Sequence, residues 1–113
     1  MIRVEEFVTE QDVSPFRRWF DALDHQAAAW VAIAIDRLGE GNTSNAKALG
    51  EGVSELRINR GPGYRVYFGW DGKVLVILLG GGTKKRQQND IQAAFRHWSS
   101  YKARKAAGKP RRS

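Results

Sequence analysis

Two arginines, Arg57 and Arg65, flank the loop Asn59-Arg60-Gly61-Pro62-Gly63, and each sits in a run that alternates apolar and polar side chains. Alternation at period two marks strands, and strands joined by a short Gly/Pro loop pair antiparallel, which brings the two guanidinium groups near each other. A guanidinium stays charged and presents its donors as a planar fork that matches a phosphate. Two of them on one sheet face can hold a phosphodiester and stabilise the charge that builds on it during cleavage. The competing reading is structural: each arginine pairs with a carboxylate such as Glu55 or decorates a solvent face.

A second cationic cluster, Lys84, Lys85 and Arg86, follows Gly80-Gly81-Gly82-Thr83 and stands between an apolar run and a helical one. In that context backbone N–H groups and a helix N-terminus bind phosphate, although a merely tight turn reads the same way. It is not a Walker A loop, because Ile77 stands where the first glycine is required and Thr83, not lysine, follows the last one. Tyr64 and Tyr67 alternate with Arg65 and offer rings either for stacking on bases or for core packing. Together with Arg60, Lys73, Arg86 and Arg96 they make up the expected nucleic-acid contacts.

Other chemistries find no residues to carry them. The chain has no cysteine, so a disulfide framework, a thiolate metal site and a cysteine nucleophile are all excluded. After residue 56 the only carboxylates are Asp71 and Asp90, and His25 and His97 lie far apart in sequence, so no metal and no cofactor is expected. No serine sits in a nucleophile-elbow pattern. His97 falls off the apolar face formed by Ile91, Ala94, Phe95 and Trp98 and reads as an exposed helical residue.

The charge distribution points the same way. The net charge is +7, but residues 1–56 carry five Lys/Arg against ten Asp/Glu, and residues 57–113 carry fourteen against two. Such a basic half attracts polyanions and speeds their encounter, and it also attracts an acidic protein partner. With 113 residues there is room for one domain and one core. No segment approaches the roughly 18 apolar residues of a membrane span, and the N-terminus lacks the apolar stretch of an export signal. A cytoplasmic protein without a membrane partner is therefore expected.

The elements that must position these residues follow from periodicity. Ile2, Val4 and Phe7 alternate over 2–8 and predict a strand. Ser14-Pro15 starts a helix over about 15–23, and Ala27, Trp30, Val31, Ala34, Ile35 and Leu38 mark a second helix, the two forming an antiparallel hairpin. Residues 39–45 read as loop. GVSELRI, YRVYFGW and KVLVILL are three strands of an antiparallel meander, the last apolar at every position and so central and covered on both faces. A helix over about 88–103 follows, and residues 104–113 form a basic, disordered tail beyond a domain spanning 1–103. The fold class is α+β: a twisted, mainly antiparallel sheet of about four strands, an N-terminal helical hairpin on one side, and a C-terminal helix closing an end or edge.

The run GVSELRINRGPGYRVYFGWDGKVLVILLGGGTKKRQQNDIQAAFRHW, to Trp98, resembles the phage-derived Gp49-like and HigB-like addiction-module killer proteins of the RelE/ParE superfamily. The pieces that carry the likeness are E-L-R-I, G-P-G-Y-R-V-Y-F, the apolar strand ending in Gly-Gly, the lysines and glutamines after it, and D-I-x-x-A ending in an aromatic. The resemblance implies a small RelE-like fold and the toxin role of a type II toxin–antitoxin pair. Relatives of the RelE and HigB kind cut mRNA in the ribosomal A site without metal, using the 2′-hydroxyl as nucleophile. Arg65 then matches the arginine that contacts the scissile phosphate, Arg57 a neighbouring basic site, and Lys84 or Lys85 a further basic position, so these four are the implied catalytic residues. The sequence departs from RelE at Ile91, in place of a terminal tyrosine, and at Ser54-Glu55, in place of a Lys-x-Lys. The implied partners are the ribosome, mRNA and a cognate antitoxin with a helix-turn-helix domain, through which alone the complex touches operator DNA. A ParE-like, non-catalytic inhibitor of DNA gyrase and an inactive nucleic-acid- or ribosome-binding relative stay open beside the endoribonuclease.

Overall fold

The alternating runs of the second half pair into a sheet that the rest of the chain covers from both sides. The computed structural model describes residues 1–108. Its elements are strand β1 (Arg3–Glu6), helices α1 (Pro15–Asp21) and α2 (His25–Gly39), strands β2 (Ala46–Gly50), β3 (Val53–Ile58), β4 (Tyr64–Asp71) and β5 (Leu75–Thr83), a 3-10 turn at Lys84–Arg86, and helix α3 (Gln87–Gly108). The sheet order is β1-β5-β4-β3-β2, antiparallel except for the β1–β5 pair. Among the described residues no helix is long and apolar enough to cross a membrane.

Side chains alternate across β3, β4 and β5 and so build two cores. Leu56, Ile58, Val66, Phe68, Val76 and Leu78 face α1 and α2, where Phe16, Ala27, Val31 and Leu38 meet them. Val53, Tyr67, Ile77 and Leu79 face the other way and pack under Ala94 and Trp98 of α3. Both helices of the N-terminal pair are capped as their sequences dictate. Ser14 Oγ accepts from Arg17 N ahead of Pro15, and Asp24 Oδ1 accepts from Ala27 N at 2.8 Å.

Four expectations change. The sheet has five strands rather than four, because β2 adds to the outer edge of β3. The two N-terminal helices do not form a hairpin packed on itself; α1 lies on β5 and α2 on β3, each burying its apolar side against the sheet. Helix α3 covers the second face of the sheet instead of an end or edge, since the alternation leaves that face apolar as well. It also continues to Gly108, with Arg104 Nη1 donating to Val8 O and Lys105 paired to Asp71, both inside the segment expected to be a disordered tail. Residues 109–113 of that tail lie outside the described residues.

Candidate functional site

A five-residue loop, 59–63, sets the register of β3 and β4, and places Arg57 directly opposite Arg65 and Glu55 directly opposite Tyr67. Residues two apart on a strand share a face, so all four point to the side covered by α3. Glu55 is the hub. Its side chain is 1% exposed; Oε2 accepts from Arg57 Nε at 2.9 Å and Oε1 accepts from Gln87 Nε2, in the first turn of α3, at 3.1 Å. Arg65 Nε lies 3.9 Å from Oε1, an ion-pair separation too long for a hydrogen bond.

The two arginines differ in access. The Arg57 side chain is 39% exposed and its inner nitrogen is held by Glu55, so its outer edge faces solvent as a fork of the kind that grips phosphate. The Arg65 side chain is only 9% exposed, donates from Nη1 to Tyr64 O at 3.3 Å, and keeps Nε buried without a hydrogen-bond partner among the described residues. Arg65 therefore contributes field from beneath the surface, where low dielectric strengthens it, and supports Arg57 rather than reaching outward. Two guanidinium groups against one carboxylate leave the cluster cationic.

Lys84 joins this end of the sheet. Its backbone N–H donates to Gly63 O at 2.8 Å, and a Cβ on Gly63 would lie 3.6 Å from Lys84 Cβ and 3.9 Å from Arg65 Nη1. Lys85 and Arg86 follow, exposed on the same 3-10 turn. The glycines before them are not a phosphate-cradling loop but the end of β5. Gly81 leaves room for the Trp19 ring on the α1 side, and Gly82, opposite Arg65, leaves room for Asp90 on the α3 side. Burial pushes the Asp90 carboxyl above its usual range, with Arg86 pulling the other way.

Several expected contacts lie elsewhere. Tyr64 is buried between Trp19 and Trp30, with ring centroids 6.5 and 6.3 Å away, and Tyr67 is fully buried, so neither ring offers a face to a base. Burial, and next to it the Glu55 charge, pushes the Tyr67 hydroxyl up to about 12. Arg60 is exposed but stands over Trp30, 5.5 Å from its centroid, on the α2 side. Lys73 is exposed in the β4–β5 turn, at the opposite end of β4 from Arg65, and Arg96 is exposed on α3. His97 is half-buried rather than exposed: its ring packs 5.2 Å from Phe7 and lines a cleft with Arg18 and Trp19. The residues that sequence reasoning passed over at this site are Gln87 and Asp90. Glu55 is the carboxylate that the structural reading of the arginines named, and both pair with it. The Glu55–Arg57 spacing of two was the available signal, since it puts both on one strand face.

Residues 18–98, which hold the whole arginine cluster, match the model of a family described as phage-derived protein Gp49-like (DUF891). An uncharacterized protein of Haemophilus influenzae is 44% identical over 80 residues, a stretch that covers 70% of this chain and 81% of the relative.

Proposed function

The chain belongs to the phage-derived Gp49-like family, of toxin and addiction-module character, and on that premise we propose that it is the toxin of a type II toxin–antitoxin pair that acts on RNA as a metal-independent, ribosome-dependent mRNA endoribonuclease. The observation that carries this reading is Arg57, anchored through Nε by buried Glu55 and opposite Arg65, with Lys84 held at Gly63 at the same end of the sheet. Arg57 grips the scissile phosphate, Lys84 and Lys85 add charge at its edge, and Arg65 with Glu55 holds the constellation in place. The 2′-oxygen closes on phosphorus, losing its proton to solvent, and the P–O5′ bond breaks with the leaving 5′-oxygen taking a proton from solvent. Negative charge meanwhile accumulates on the non-bridging oxygens, and these preorganised cations stabilise it without moving. A RelE/ParE-type placement of this fold is part of the same proposal. An antitoxin with an acidic segment would neutralise the surface by covering the cluster.

Primer-extension mapping of a reporter mRNA in a purified translation system tests the reading. The protein should cut at A-site codons only when ribosomes are present, and Arg57→Ala should abolish the cuts in a folded protein. A second reading draws on one specific observation: Glu55, the carboxylate between the two arginines, is 1% exposed and ion-paired, and Tyr67 beside it is fully buried, so neither is free to take a proton from a substrate. A non-catalytic poison of DNA gyrase needs no such proton acceptor. Intact mRNA together with blocked supercoiling would establish that reading in place of the first.

A further inference from the structure

On the other side of Arg57, between the last turns of α2 and the segments 42–45 and 57–60, lies a groove of about 240 Å³. Its lining includes Trp30, Ile33, Arg37, Asn42, Arg57 and Arg60, and two further asparagines, with no aspartate or glutamate. Among the described residues no ion pair engages Arg37 or Arg60. Ile33 is 48% exposed and stands one helical turn from Trp30 on α2, so the two side chains line the groove together. Asn42 is fixed: its Oδ1 accepts from Ser44 N at 3.0 Å and from Ser44 Oγ at 2.7 Å, which turns its amide N–H₂ away from that turn as a preset donor.

We propose that this groove seats one nucleotide of single-stranded RNA, with the base against Ile33 and the Arg60 guanidinium that lies over the Trp30 ring, an adjacent phosphate at Arg37, and Asn42 donating to the base edge or phosphate. The inference rests on the RNA-directed reading above and names how that site takes its substrate, because Arg57 belongs to both the groove and the arginine cluster. Aromatic and guanidinium planes interleaved with amides are the chemistry that holds unstacked bases. An acidic amphipathic helix fits less well: it needs a row of apolar pockets at helical spacing, whereas this groove is small and ringed by cations.

The test is a titration of the full chain with a short single-stranded oligoribonucleotide, followed by the Trp30 indole N–H resonance and by fluorescence anisotropy. The expected result is a shift of the Trp30 signal and, in the Arg37→Glu/Arg60→Glu double variant, an affinity loss of at least about tenfold, with the protein still folded and the thermal midpoint lowered only by the loss of the Arg60–Trp30 contact and of a positive charge in the last turn of α2. Wild-type affinity in that variant with an unmoved Trp30 signal overturns the proposal, even if Arg57→Ala still abolishes cleavage and the arginine-cluster reading stands. A Trp30 shift caused by a poly-glutamate peptide but not by RNA also overturns it, in favour of a protein partner. Should cleavage survive Arg57→Ala, the functional reading falls, while the Trp30 shift and the charge reversal still decide the groove.

Discussion

At the scale of single residues, stability and activity separate at the arginine pair. Glu55 is buried and balances a buried arginine, so Glu55→Gln leaves Arg65 charged and uncompensated, and such broken buried pairs cost about 3–5 kcal/mol. Arg57 is more than a third exposed, but its Nε donates to Oε2 of the buried Glu55, so Arg57→Ala should cost a smaller amount, about 1–3 kcal/mol, while removing the phosphate contact. Chemical denaturation of the two variants beside a cleavage assay checks the contrast; equal stability losses would contradict it. His97 supplies a pH prediction. Burial against Phe7, and then the nearby Arg96 charge, lowers its pKa, so between the ordinary histidine value of about 6.5 and the depressed folded value the unfolded chain binds more protons. Stability must then fall as pH drops through that window. His97→Phe keeps the ring contact and loses the proton, so the gap between thermal midpoints at about pH 7.5 and about pH 5.5 should narrow in this variant; an unchanged gap would place the acid sensitivity elsewhere.

At the scale of elements, the positions of α1 and α3 depend on two glycines, Gly81, in a run that reads in sequence as a loop, and Gly69, inside a strand. A Cβ at Gly81 would overlap the Trp19 ring, and one at Gly69 would overlap the Trp98 ring, so the helices sit directly on backbone there. Gly81→Ala should therefore cost about 1–3 kcal/mol by overpacking and displace α1, measurable as a lower midpoint in denaturant; a neutral result would mean that Trp19 swings aside freely. The same elements show what was legible from sequence. The Arg57–Arg65 pairing follows from a loop centred on Gly61, and the central strand from its unbroken apolar run, because both depend on local patterning. Strand β2, AKALG, lacks β-branched and aromatic residues and shows no alternation; it is a strand only because β3 offers it an unpaired edge. The burial of Tyr64 and Tyr67, the side of the sheet taken by α3 and the reach of Gln87 to Glu55 depend on tertiary packing, which periodicity alone does not encode.

At the scale of the molecule, the sheet works as a partition. The acidic half forms β1, α1, α2, β2 and most of β3, while the basic half forms the end of β3, β4, β5 and α3, and Arg57 stands where the arginine cluster meets the groove beside α2. Single-stranded RNA crossing that junction would place Arg37, Arg57, Lys84 and Lys85 on phosphates. Each neutralised phosphate of a single strand releases about 0.7 counterion, so four contacts give a log–log salt slope near −3 and an affinity loss of about 50-fold between about 50 and about 200 mM salt. Arg57→Ala should flatten that slope by about 0.7, as should Arg37→Ala, because each removes one contact from a shared path. Anisotropy titrations across a salt series measure both quantities. A slope near zero in the wild type would mean that the positive charge attracts a partner by some route other than the phosphate backbone, whereas a steep slope left unaltered by Arg57→Ala would move the path off the arginine cluster and onto α3.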